Sequence, residues 1–109
     1  MTTGWMAWKT AIGQLARPDM SNCDLLLGWA FNPYYSGYLK AQGAEEARSR
    51  GMKVIVVDPK ITPTTEKMCD LHLRPYPGTD GALALCMGNI LIRKGWIDKE
   101  YIDKYVHGF

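Results

Sequence analysis

The chain has 109 residues, 47% of them hydrophobic and 22% charged, with a net charge of +2. That length holds one small domain, and that balance is the composition of a globular fold with a core of its own. The basic residues are scattered rather than striped, which argues against a nucleic-acid partner. The longest apolar runs, Val54 to Val57 and Gly81 to Met87, are far shorter than the roughly 20 residues of a membrane-spanning helix, so direct membrane insertion is not expected.

The first 21 residues are poorly patterned. Trp5, Met6, Trp8, Ile12 and Leu15 recur at helical spacing, Pro18 would end such a helix, and the two tryptophans suit a surface that packs on something else. None of the charged, apolar and small-residue pattern of an export signal is present there, although a parent protein could carry one upstream. Cys23, Cys69 and Cys86 are odd in number, cannot all pair internally, and read as reduced thiols.

Asp24 to Trp29 is a continuous apolar run, the pattern of a parallel strand covered on both faces. Phe31-Asn32-Pro33 makes a turn, and from about Tyr35 to Arg50 the spacing is helical, with Gly51 placed to end the helix in a left-handed conformation. Lys53 to Val57 is short and β-branched, the clearest strand, and Asp58-Pro59 stops it. Thr62 to Cys69 can form a short helix with Pro63 at its first position, and Leu71 to Leu73 a third strand. Thr79 or Asp80 can cap a helix running from Gly81 to about Lys94, with Leu83, Met87, Ile90 and Leu91 on one face. After Gly95, Asp98 caps a last helix from Lys99 to about Tyr105 with Tyr101, Ile102 and Tyr105 inward. Strands alternating with helices predict a small parallel sheet.

Open parallel sheets bind ligands beyond the carboxyl ends of their strands. Three segments fall there: Gly28 to Pro33, Asp58-Pro59-Lys60, and Pro77 to Asp80. Glycines at 28 and 78 permit close approach to backbone amides. Asn32 offers donors and acceptors, Asp58 can accept from a ribose diol, and Asp80 from the paired N–H groups of a guanine. The amides near Thr79 favour an anion and Lys60 adds a positive charge. Each segment also has a structural reading: the Asn32-Pro33 turn is complete as a turn, Asp58 before Pro59 is a common strand stop, and Thr79-Asp80 caps a helix without a ligand.

Other chemistry finds less support. No GxGxxG follows the first strand and no GxxxxGK[ST] occurs. Cys69 and His72 lack a second pair of metal ligands, no CxxC is present, and no Ser or Cys sits beside a base, so zinc, a self-contained iron–sulfur cluster and nucleophilic catalysis have no residue set.

Taken in order, Asp24-Leu-Leu-Leu-Gly-Trp-Ala-Phe-Asn32-Pro33, Gly51-Met-Lys-Val-Ile-Val-Val-Asp58-Pro59-Lys60-Ile-Thr62, and Leu73-Arg74-Pro-Tyr-Pro-Gly78-Thr79-Asp80-Gly-Ala-Leu resemble the dimethyl sulfoxide reductase family of molybdopterin oxidoreductases over residues 22–109. The resemblance implies a small three-layer, Rossmann-like α/β domain, its short parallel sheet flanked by helices, cut from a longer enzyme. It implies molybdopterin guanine dinucleotide as cofactor, with molybdenum in the parent. Asn32 would then contact the cofactor, Asp58 bind ribose, and Thr79 and Asp80 recognise guanine, with Gly28, Pro33, Pro59, Lys60 and Gly78 completing the three loops. Family members usually carry Arg at the place of Lys60 and a small residue at Ala30-Phe31. No residue of the chain is expected to be catalytic or to bind metal. The metal's protein ligand in this family lies upstream of the first matched strand, and residues 1–22 offer no candidate. Expected partners are the remaining domains of the parent and an iron–sulfur subunit; the parent could be cytoplasmic or exported to the periplasm or cell surface. Two rivals stay open on residues alone: a stand-alone Rossmann-like nucleotide-binding module, and an interaction domain using Trp5, Trp8, Tyr34 and Tyr35.

Overall fold

The computed structural model describes Thr10, Gly13 and residues 19–109. The helical stretch expected around Trp5, Met6, Trp8, Ile12 and Leu15 lies outside the described residues. A 3-10 turn at Met20–Asn22 is capped by the Asp19 carboxylate, which accepts from the Ser21 N–H. Strands β1 (Leu25–Trp29), β2 (Lys53–Val57) and β3 (Leu71–Leu73) alternate with helices α1 (Pro33–Ser36), α2 (Tyr38–Ser49) and α3 (Pro63–Met68), and α4 (Asp80–Lys94) and α5 (Lys99–Tyr105) follow. The strands pair in parallel in the order β1-β2-β3, the Rossmann-like α/β arrangement expected. Trp29 pairs with Val57 and Val57 with Leu73. All three strands therefore end at one rim.

The core lies on one face of this sheet. Leu26, Val54 and Val56 point toward Ala44 and Ala47 of α2, Met52 and Met68. Ala41, Ala44 and Ala47 are buried at a spacing of three. Their short side chains let the α2 backbone approach the β-branched surface closely, as only small residues do. Each fully buried Val or Met contributes about 1.5–3 kcal/mol of transfer free energy.

Local chemistry sets the element ends. Thr62 and Thr65 form a reciprocal capping box around Pro63 at the start of α3. Gly95, at φ +67°, ends α4 by donating to Ile92 and Leu91 carbonyls. Asp98 accepts from the Tyr101 N–H and starts α5. Before β3, the Asp70 side chain extends the ladder. Its Oδ2 accepts from Val54 N–H at 2.7 Å and its Oδ1 pairs with Arg48 at 3.2 Å. The Val54 N–H first, and the Arg48 charge after it, hold the Asp70 carboxyl below the usual carboxylate range.

The single helix expected from Tyr35 to Arg50 is two helices. Gly37 leaves the helical region, with ψ 62°, donating its N–H to the Pro33 carbonyl and accepting from Lys40 and Ala41. Glycine is the residue at which an interruption costs a helix least.

The outer face of the sheet is different. The continuous apolar run of β1 predicts cover on both faces, yet Leu25 is 53% exposed and Leu71 50%. No residue of α4 is buried: Leu83 and Met87 are half-buried, whereas Ile90 and Leu91 are exposed and Leu85 reaches 77%. The inward face expected for α5 fares likewise. Only Ile102 is half-buried, while Tyr101 and Tyr105 pack on each other in the open with ring centroids 5.1 Å apart. The apolar periodicity marks a face in these two helices that stays largely exposed. No described helix is long and apolar enough to cross a membrane.

Candidate functional site at the carboxyl rim

Three loops leave the rim, and long-range hydrogen bonds tie them to one another. The first begins at Ala30, whose N–H continues the ladder to the Val57 carbonyl at 2.9 Å. Ala30 sits at φ +48°, in the left-handed region where a side chain costs roughly 1–2 kcal/mol. Phe31 lies over the Gly28 α-carbon, where an added Cβ would stand 3.4 Å from its ring. The space above Gly28 is thus filled by the chain itself. Pro33 is buried and opens α1.

Asn32 does not cap α1 with its side chain. Its Oδ1 instead accepts the Thr64 hydroxyl at 2.5 Å, and Thr64 is buried. This bond joins the first loop to α3, the helix after the second. Nδ2 of Asn32 has no partner among the described residues and stays available as a donor.

The second loop is folded around Asp58. Its Oδ1 accepts the Lys60 N–H at 2.8 Å, an Asx turn that turns the chain at Pro59. The Asp58 N–H donates to the Leu73 carbonyl at 3.1 Å. From β3, His72 Nε2 lies 2.8 Å from the Asp58 carbonyl, and Arg74 Nε donates to the Pro59 carbonyl at 3.4 Å. His72, on β3, therefore staples the second loop to that strand. Asp58 Oδ2 has no partner among the described residues. The Lys60 side chain is exposed.

The third loop ends in a tight turn. Gly78 takes φ +87°, and both the N–H and the hydroxyl of Thr79 donate to the Tyr76 carbonyl, at 3.0 and 2.7 Å. The Thr79 side chain is thereby turned away from capping α4, and Asp80 is the first helical residue rather than the cap, so neither of the two side-chain caps the sequence offers is made. Asp80 opens that helix, and its Oδ1 accepts the Trp29 indole N–H at 2.8 Å across 51 positions of sequence. Beside this turn lies an open hollow of about 360 Å³, whose walls include Arg74, Tyr76, Thr79, Ala82 and Leu83.

The rim therefore gathers Asn32, Asp58, Thr79 and Asp80 on loops stitched together by Trp29, Thr64, His72 and Arg74. The first group follows from reading the strand ends. The second escapes such a reading, because each member acts through a partner remote in sequence. Trp29 alone carries a usable signal: it is an aromatic donor at the last position of the strand beside the site. Two features fit a nucleotide. The Asp58 and Asp80 carboxylates each keep an oxygen without a partner among the described residues, and the hollow of the third loop is walled by Thr79, the neighbour of Asp80. Among the described residues, no group of His, Cys, Asp and Glu is arranged to hold a metal ion.

Comparison with known proteins supplies the context for this geometry. The profile of the family described as molybdopterin oxidoreductase matches residues 2–105. The chain belongs to the molybdopterin oxidoreductase family. It is 35% identical over 91 residues to the F420-dependent formate dehydrogenase 2 subunit alpha of Methanococcus maripaludis, covering 84% of this chain and 13% of that protein. It is 37% identical over 105 residues to the dimethyl sulfoxide/trimethylamine N-oxide reductase of Rhodobacter capsulatus, covering 88% and 13%. Among solved structures, acetylene hydratase from Pelobacter acetylenicus aligns with a TM-score of 0.79 and 28% identity over 94% of this chain and 14% of that one. The chain thus corresponds to a small share of each relative, and these relatives differ in the reactions their names record. The family uses a molybdopterin cofactor.

Proposed function

We propose that this chain binds the guanosine end of a molybdopterin guanine dinucleotide and orients it within a larger oxidoreductase. The observation that carries the reading is the rim itself. Three strand-end loops are bonded to one another and present Asp58, Thr79 and Asp80 together, in a chain of molybdopterin oxidoreductase ancestry. In this reading the Asp80 carboxylate accepts the adjacent N1–H and N2–H donors of guanine, and Asp58 accepts from the ribose hydroxyls. The positive-φ turn at Gly78 and the amides at Thr79 approach the ligand closely, which a side chain at position 78 would hinder. Asn32 donates through Nδ2; Gly28, Pro33 and Pro59 shape the loops, and Lys60 supplies positive charge.

Molybdenum chemistry, oxygen-atom or two-electron transfer in the parent, belongs to the cofactor; the protein contributes binding, orientation and electrostatics. The binding unit in this reading is residues 22–109, with residues 1–21 a separate N-terminal segment. The remaining domains of the parent would cover the outer sheet face and α4, and an iron–sulfur subunit would be a further partner.

The test is an amide NMR titration with GDP, with ADP as control. The reading expects shifts concentrated at Asn32, Asp58 and Gly78–Asp80 and a preference for GDP. An equal response to ADP would replace it with a generic nucleotide module.

A further inference from the structure

We propose that Trp29 is a positioning residue for base recognition: its indole N–H holds the Asp80 carboxylate in the one orientation that accepts two adjacent guanine donors. The inference rests on the guanosine-site reading above and adds to it a residue and a selectivity mechanism.

The geometry is specific. Trp29 is the last residue of β1, half-buried, and in register with Val57, so its backbone is fixed by the sheet. An indole nitrogen can only donate, which leaves the direction of the 2.8 Å contact to Asp80 Oδ1 unambiguous. Asp80 has no other side-chain partner among the described residues. As an exposed residue at a helix start it would otherwise sample several rotamers.

A carboxylate offers about four lone-pair sites. The indole occupies one on Oδ1. That leaves the second site on Oδ1 and the whole of Oδ2, two acceptors side by side. Guanine presents two donors side by side, N1–H and N2–H. Adenine presents a donor beside the acceptor N1, which would face a carboxylate oxygen lone pair to lone pair. A fixed carboxylate therefore rejects adenine, whereas a mobile one can rotate to accept adenine's single donor. A buried or ordered polar group that a wrong ligand leaves unmatched is the usual source of strong discrimination.

The experiment compares GDP and ADP binding by the unaltered 109-residue chain and by Trp29→Phe, which removes the N–H and keeps a ring. We expect Trp29→Phe to lose about tenfold in GDP affinity, the scale of one hydrogen bond to a charged group, with ADP affinity unchanged or raised. A GDP preference that survives in Trp29→Phe overturns the proposal, and so does an equal loss for both nucleotides, which would make the bond a structural tie. A second measurement covers a variant that fails to fold: in the unaltered chain the Trp29 indole N–H resonance must shift with GDP and not with ADP, and a resonance indifferent to GDP overturns the proposal. A GDP preference missing from the unaltered chain is a separate outcome, and it removes the guanosine reading together with this one.

Discussion

The two faces of the sheet share one set of strands but not one fate. The inner face packs Val54 and Val56 against Ala44, Ala47 and Met68 until all are buried. The outer face buries Val57 at its carboxyl end but leaves Leu25, Leu27 and Leu71 exposed, and the 15-residue helix α4 has no buried residue. Apolar content does not distinguish them, since leucine is as hydrophobic as valine. Cover does: α2 and α3 are short crossovers that fold back on the strands they connect, whereas α4 and α5 follow the last described strand. Stability is thus expected to concentrate on one side of the domain, and apolar surface awaiting a partner on the other. Contiguous exposed apolar surface of this kind marks interfaces.

The largest expected effect tests the covered side. Met68 is fully buried, and Met68→Ala should destabilise by about 2–5 kcal/mol through lost transfer energy and a residual cavity. A urea midpoint scarcely changed would mean that the inner face is as loosely held as the outer.

A smaller effect probes the rim, where the covered side ends. Ala30→Val puts a β-branched residue at φ +48°, where such a residue is a steric outlier, and destabilisation beyond the cost the alanine already bears should follow, read by the same denaturation. Thr64→Val should cost about 1 kcal/mol by removing the hydroxyl that Asn32 accepts. In NMR its changes should centre on Asn32 and leave Asp80 in place. Changes spreading to Asp80 would show the three loops to be one cooperative unit.

The start of β3 responds to acid. The Asp70 carboxyl is held low in the fold, chiefly by the Val54 N–H. A carboxyl depressed on folding contributes stability that is present above its unfolded value of about 3.9 and is lost as pH falls through its folded value. Asp70→Asn should therefore lower the urea midpoint at neutral pH and flatten its decline below about pH 4. An acid limb as steep in the variant as in the parent chain would assign the decline to other carboxylates.

What the sequence discloses follows the same division. Strand β2, the helix stops at Gly51 and Gly95, Pro63 opening α3 and Asp98 capping α5 are all legible, because propensity and capping are local. The rim loops are legible as places, because parallel strands must end together. The bonds Trp29–Asp80 and Asn32–Thr64 are not, since pairs 51 and 32 positions apart leave no periodic trace. The break at Gly37 hides inside a helical pattern that resumes at once. Periodicity in α4 and α5 names a face correctly as apolar and says nothing of what covers it, and for this reason the inward Tyr101 and Tyr105 are found outside.

The smallest expected effect decides the comparison most sharply. Leu85 stands 77% exposed on α4, and Leu85→Ala should change stability by no more than about 0.5 kcal/mol, as surface substitutions do. Alanine is also the better helix former, so a slight gain is as consistent as a slight loss. Replacing Leu25 by lysine should be similarly mild for stability, while lowering self-association at high concentration if the outer face is open in solution. The pair separates two pictures of α4. Mild effects, with association reduced, mean that the helix and the outer face are exposed and built to be covered by further protein. A loss of 2 kcal/mol or more for Leu85→Ala would mean that α4 packs within this chain in solution, and the asymmetry of the two faces would then disappear.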